Sequence, residues 1–184
     1  STMSEFLAEI FEGFAIGAPQ HHHLVVKAHP LEDGRVPIRK EVRRLARQHG
    51  LEGRVHYVRG GKLAQLLNDA RTAVTVNSTA GQQVLWRGIP LKVFGKAIYA
   101  KPEFISSQPL RDFFAGARRP DSRAYKEFRR YLLETSQLPG GFYSRRGRRQ
   151  LMRQIVDMML SPEDPYDALL SGTAAPRQQL RLVN

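Results

Sequence analysis

The chain has 184 residues, 41% of them apolar, with 29 Lys and Arg against 17 Asp and Glu, a formal charge of +12. That length predicts one domain with a buried core, the charge favours anionic partners, and the absence of cysteine excludes disulfide frameworks, zinc ribbons and thiol nucleophiles. Arginine outnumbers lysine 22 to 7, and its planar fork suits phosphate; apolar runs stay far below the ~20 residues that span a bilayer.

Ser1 and Thr2 precede Met3 and read as residues added ahead of a start, with no signal-peptide pattern after them. In residues 3–16, Phe6, Leu7, Ile10, Phe11 and Phe14 recur at three- and four-residue intervals, which predicts an amphipathic helix with Ser4 as its N-cap. A β-branched run closed by Pro30 predicts a strand over 23–28. Pro37, the stripe Ile38, Val42 and Leu45, and Gly50 after His49 predict a helix over about 37–49. RVHYV, LAQLLNDA, TAVTV, GQQVLWR and LKVF then read as strand, helix, strand, short helix and strand.

That alternation argues for an α/β fold built on a parallel sheet with right-handed crossovers. It opens on a helix where a doubly wound domain opens on a strand, so a first strand is expected to be missing or the sheet to begin unusually. After Gly95 the alternation stops. Tyr99 to Pro120 contains three prolines and reads as an ordered loop over a sheet edge. Helices return over about 121–136, with Asp121 or Ser122 capping and Tyr125, Phe128 and Leu132 inward, and over about 147–160, with Leu151, Ile155 and Met158 or Met159 inward. Residues 3–171 are expected to form the domain, and 172–184 a frayed tail.

Lys27 and His29 lie two apart at the carboxyl end of the first strand, where open α/β sheets bind ligands. Together they are suited to neutralising a phosphate; the plainer reading has Lys27 snorkelling and His29 closing a loop. Asn77-Ser78-Thr79-Ala80-Gly81 joins a strand directly to a helix and would offer N–H groups, a helix dipole and two hydroxyls to an anion. Simple capping by Ser78 or Thr79 is the competing account.

Gly61-Lys62 and Gly95-Lys96 lack the surroundings of a P-loop, and no G-x-G-x-x-G is present. His21, His22 and His23 would alternate faces in a strand, so no metal site is expected. Glu32, Asp33 and Glu103 sit where a base could act, but acidic loop residues are more often turn formers. Arg145, Arg146, Arg148 and Arg149 form the densest basic cluster, beside Phe142 and Tyr143. They suit an anionic surface, or merely a solvated helix start; nucleic acid is a weaker reading, since no recognition motif accompanies them.

LVVKAHPLEDG, RVHYV and TAVTVNSTAGQQVLWRGIPLKVFGKAIY, followed by PLRDFF, FRRYLLETSQLPGGFY and DPYDALL, resemble the capsule polysaccharide synthesis and export proteins of the KpsS/LipB type. The resemblance covers most of residues 4–170. It implies a β-Kdo transferase of group 2 capsule assembly in a Gram-negative bacterium, using CMP-Kdo, with no further cofactor, to start the Kdo linker on a phosphatidylglycerol lipid. It further implies the Rossmann-like C-terminal half of a GT-B glycosyltransferase, at the cytoplasmic face of the inner membrane.

In similar transferases a His-Pro motif and a downstream Ser/Thr turn hold the CMP phosphate. These map onto His29-Pro30 and Ser78-Thr79, with Lys27, Asn77 and Gly81 beside them. KPEFISSQPL stands where the family continues Gly-Leu-Thr, which puts a sugar-contacting role for that loop in question. The acceptor-side domain with its catalytic carboxylate is expected to lie elsewhere, so these residues alone should not turn over substrate. The competing reading is a non-catalytic export adaptor that docks on anionic membrane or on the capsule transporter.

Overall fold

The computed structural model describes residues 2–29, 37–138 and 144–173. Pro30, Glu32, Asp33, Phe142, Tyr143 and the tail beyond Thr173 lie outside the described residues. The chain divides into two compact units, Ser1–Ser122 and Arg123–Asn184.

The first unit opens with α1 (Met3–Gly17), and its cap is Thr2, not Ser4. Thr2 Oγ1 accepts from the Glu5 N–H at 3.2 Å while Glu5 Oε2 accepts from the Thr2 N–H at 2.7 Å. This reciprocal box satisfies two otherwise orphaned donors, which Ser4, two residues further on and already inside the helix, cannot do. Leu7, Ile10, Phe11 and Phe14 point into the core, with Phe11 fully buried.

Next come β1 (Leu24–Lys27), α2 (Ile38–Gln48) and β2 (Val55–Val58). Pro37 caps α2 from just outside the helix, and Gly50 ends it at φ +63°, a left-handed position that suits glycine. Val42, Leu45 and Ala46 face the core, and the basic residues of α2 face solvent. β1 and β2 pair in parallel, Leu24 opposite Val55 through Lys27 opposite Val58.

A second set follows: α3 (Leu63–Asn68), β3 (Ala73–Thr75), α4 (Ala80–Trp86) and β4 (Leu91–Val93). β3 and β4 also pair in parallel, Ala73 opposite Leu91 through Thr75 opposite Val93. The fold is therefore mixed α/β, with short parallel sheets flanked by helices. Among the described residues the strands form two separate two-stranded ladders, where the sequence predicts one sheet. Strands of three or four residues carry few ladder bonds, and side-chain packing unites the ladders instead. Val26 and Tyr57 of the first, Val74 of the second and Phe94 just after it lie against one core cluster.

The loop expected over 99–120 contains a helix, α5 (Leu110–Gly116). Pro109 does not break structure here; it stands at the helix entry with φ −53°. Two α1 glycines admit α5: a Cβ at Gly13 would collide with the Leu110 side chain, and one at Gly17 with the Arg111 backbone. Through this close approach Phe14 meets Phe114 edge-on, with centroids 5.3 Å apart. The segment before α5 crosses the edge of β4, tied by Ser106 N–H to the Leu91 carbonyl (2.7 Å) and by Lys92 Nζ to the Gln108 carbonyl (2.5 Å).

The second unit is helical: α6 (Ser122–Thr135), α7 (Arg145–Met159) and α8 (Pro165–Ser171). Tyr125 and Leu132 of α6 are buried, Phe128 partly so. On α7 Leu151 is buried, and Met158 is the inward methionine, since Met159 is 79% exposed. α8 was not expected. Its signals are local: the Asp164 carboxylate accepts from the Tyr166 N–H at 2.8 Å, Pro165 opens the first turn, and Gly172 closes it at φ +75°.

Candidate functional site

The turn after β3 is fixed from its neighbour strand. Phe94 N–H donates to the Thr75 carbonyl at 3.0 Å and Gly95 N–H to the Val76 carbonyl at 2.7 Å, so β4 grips the chain up to Val76. A Cβ on Gly95 would stand 3.0 Å from that same carbonyl oxygen, tighter than ordinary contact. Asn77, Ser78 and Thr79 then pass over to α4, with Asn77 and Thr79 exposed and Ser78 half-buried.

Ser78 is the hub of this turn. Its N–H donates to Thr75 Oγ1 at 3.3 Å, its Oγ accepts from the Ala80 N–H at 3.2 Å, and its carbonyl accepts from the Gly81 N–H at 3.0 Å. The Thr79 carbonyl takes the Gln82 N–H at 3.0 Å. The N–H groups of Ala80, Gly81 and Gln82 are thus used within the turn, although the sequence suggested that they would face a ligand. The side chains add the Ser78 hydroxyl hydrogen, the Thr79 hydroxyl, which makes no cap bond, and the Asn77 amide.

Tyr99 holds the turn from behind and escaped the sequence analysis. Its hydroxyl donates to the Ser78 carbonyl, its ring lies directly on Gly81, and only 2% of its surface is exposed. Burial raises its phenol above the usual value of 10.0, so it remains a neutral donor. Gly81 therefore has a structural role: any Cβ there would overlap the Tyr99 ring. Tyr99 lies 21 residues beyond Ser78, and no local pattern could announce that contact.

Lys27 and His29 stand at the carboxyl end of the other ladder. Lys27 closes the β1–β2 register opposite Val58, and Ala28 N–H extends it to the Val58 carbonyl at 2.9 Å. Lys27 is half-buried and His29 exposed. The structure thus gathers Asn77, Ser78, Thr79 and Gly81 into one turn, and Lys27 and His29 at the carboxyl end of a different strand pair.

His21, His22, His23 and His56 lie at the amino ends of β1 and β2, and His49 stands at the end of α2. His23 Nδ1 lies 2.8 Å from His56 Nε2, with the rings stacked, and His21 packs edge-on to His22. The His22 pKa is depressed, by burial first and then by the charges of His21, Arg71 and Arg54. Lys92 is lowered by burial alone. Glu103, the third acidic candidate, is exposed and gives its carbonyl to the Asp121 N–H at 3.1 Å.

Arg145, Arg146, Arg148 and Arg149 occupy the first turns of α7, all exposed, behind a Ser144 cap that accepts from the Gly147 N–H at 3.0 Å. Arg145, Arg146 and Arg149, with Gln150, Arg153 and Gln154, line an open groove of about 710 Å³.

Short parallel ladders with helical crossovers define a mixed α/β protein. The chain matches the capsule polysaccharide biosynthesis protein family over residues 1–143 and belongs to that family. It is 34% identical over 139 residues to the capsule polysaccharide export protein KpsS of Escherichia coli, covering 76% of this chain and 36% of the relative. It is 32% identical over 144 residues to the capsule polysaccharide modification protein LipB of Neisseria meningitidis serogroup A, covering 78% and 34%. The KpsS/LipB-type resemblance is thereby established, and the chain spans about a third of the length of the curated relatives it matches. No solved structure matches it. No described helix is long and apolar enough to cross a membrane.

Proposed function

We propose that this chain is the nucleotide-sugar-binding part of a capsule glycosyltransferase. In this reading the full protein transfers Kdo from CMP-Kdo to a phosphatidylglycerol-type acceptor, and the chain forms the Rossmann-like half of a GT-B enzyme. The observation that carries it is the Ser78-Thr79 turn. In a chain of the capsule biosynthesis family, this turn stands at the carboxyl end of a parallel strand, carries two hydroxyls and has its backbone locked by Tyr99. His29 would donate to the departing CMP phosphate as negative charge builds there, with Lys27 adding positive potential. Ser78, Thr79 and Asn77 would position the phosphate through their side chains, and Gly81 would serve by admitting Tyr99.

Transfer itself is assigned to the full-length protein, with its catalytic carboxylate outside these residues, at the cytoplasmic face of the inner membrane. Titrating CMP into the isotope-labelled chain tests the reading. Chemical shifts at His29 and at Ser78 and Thr79 should move together; if neither moves at millimolar CMP, here and in a longer chain carrying the upstream domain, the reading is wrong. The export role in the name of the Escherichia coli relative favours a second reading, an export adaptor that binds the capsule transporter without catalysis. That reading predicts transporter capture with no response to CMP.

A further inference from the structure

α7 lies beyond the residues that match the family, and its exposed face has an unusual composition. Arg145, Arg149, Met152, Val156 and Met159 follow one another at spacings of four, three, four and three, which places them along one line of the helix. The apolar members are not turned inward: Met152 is 56% exposed, Val156 46% and Met159 79%, and Leu160 at the helix end is 76% exposed. Inward packing falls to Leu151, Ile155 and Met158. The outer face is therefore basic in its first half and apolar in its second.

The charges are also placed against the helix's own electrostatics. Four arginines in the first two turns oppose the positive end of the dipole, and the first turn holds no acid. Among the described residues no ion pair engages Arg145, Arg146, Arg149 or Arg153. Such an arrangement gains from an anionic surface outside the protein.

α2 provides an internal contrast. It is as basic, with Arg39, Lys40, Arg43, Arg44 and Arg47, but Arg44 pairs with Glu41 at 2.8 Å and no large apolar side chain is exposed on it. α2 is a solvated face. Among the described residues, α7 combines four arginines outside any ion pair, Arg145, Arg146, Arg149 and Arg153, with exposed methionines, valine and leucine, residue types that suit the charged and apolar layers of a membrane interface. Nucleic acid would accept the arginines but return nothing for Met152, Met159 and Leu160.

We propose that the outer face of α7 seats on an anionic lipid bilayer, the arginines at the headgroup phosphates and Met152, Val156, Met159 and Leu160 at the acyl boundary. This deepens the membrane location offered above and does not depend on the donor reading. Each arginine near an anionic surface contributes about a fivefold change in partitioning.

The test is co-sedimentation of the full chain with phosphatidylcholine vesicles containing phosphatidylglycerol or, separately, phosphatidylserine. Replacing Arg145, Arg146, Arg149 and Arg153 by Gln should weaken binding to both several-hundredfold. Changing Met152, Met159 and Leu160 to Ser should weaken both about tenfold or more, while Arg39, Arg43 and Arg47 to Gln should cost less than either. All these side chains are exposed, and circular dichroism confirms folding. Because the chain has no cysteine, Val156→Cys carries a single environment-sensitive dye, whose emission should shift to the blue on either vesicle.

Binding to phosphatidylglycerol alone would indicate a headgroup pocket and overturn the proposal. So would loss on the arginine changes with full retention by the Met152/Met159/Leu160 variant, or an α2 variant as impaired as the α7 one. A DNA duplex that displaces the vesicles and ignores the apolar changes would assign the face to nucleic acid. None of these outcomes bears on CMP binding, which is read separately.

Discussion

The phenol of Tyr99 donates its hydrogen bond to the carbonyl of Ser78, the same oxygen that receives the Gly81 N–H at the entry to α4. One buried side chain thereby fixes the position of a turn that carries two hydroxyls and the Asn77 amide.

Tyr99→Phe keeps the ring and removes the bond. Ser78 retains one donor, so the loss should be about 1 kcal/mol in thermal or urea unfolding. The pH dependence has a defined sign. Burial raises the Tyr99 pKa, so the folded state holds the proton longer than the unfolded chain. Stability from this group is complete below the ordinary value of 10.0 and declines as pH rises through the folded value. The phenylalanine variant should lose that alkaline slope; an unchanged slope would mean that other groups cause it.

Gly81→Ala separates helix propensity from packing. Propensity alone predicts a gain of about 1 kcal/mol for alanine in a helix. The new methyl would meet the buried ring of Tyr99, and overpacking of that kind costs about 1–3 kcal/mol, so a net loss is expected. Pairing it with Tyr99→Leu should recover part of that loss, a coupling that a double-mutant cycle measures directly. Strict additivity would show that the two residues do not meet in solution.

Gly17→Ala should be the more damaging of two similar changes in α1. At Gly13 the obstacle is a leucine side chain, which can shift; at Gly17 it is the Arg111 backbone, which cannot without moving α5. Comparing chemical denaturation midpoints of Gly13→Ala and Gly17→Ala checks the order, and the reverse ranking would contradict the packing of α5 on α1.

Acid should weaken the fold partly through His22. Its folded pKa lies below the ordinary 6.5, so below that pH the unfolded chain takes up the proton more readily. The contribution is intact above about pH 6.5 and is lost as pH falls toward the folded value. His22→Gln should flatten the decline of melting temperature between neutral and mildly acidic pH; an identical profile would place the titrating group elsewhere.

Much of the first unit was legible because its signals are local. Pro37 and Gly50 bracket α2, and the β-branched runs around Val25, Val55 and Val74 mark strands within a residue or two of their observed ends. α5 was hidden because Pro109, read as a breaker, opens the helix, and Leu110–Gly116 is too short to show a period. Thr2 was set aside because it precedes Met3, yet it makes the cap. At the candidate site the residues Asn77 to Gly81 could be read from strand-to-helix succession, whereas the saturation of their N–H groups and the support from Tyr99 are tertiary facts. The separation of the strands into two ladders likewise depends on packing that short strands do not encode.

The Phe14–Phe114 contact also sets an order of assembly. The rings lie ~100 residues apart in sequence, so closing the core requires joining the two ends of the first unit, a non-local step of the kind that slows folding. During synthesis, α1 leaves the ribosome with Phe11 and Phe14 uncovered and must wait until α5 has emerged before its glycine-lined side can be sealed. The nascent chain therefore carries an aromatic helix with its glycine-lined side uncovered until about a hundred further residues have been made.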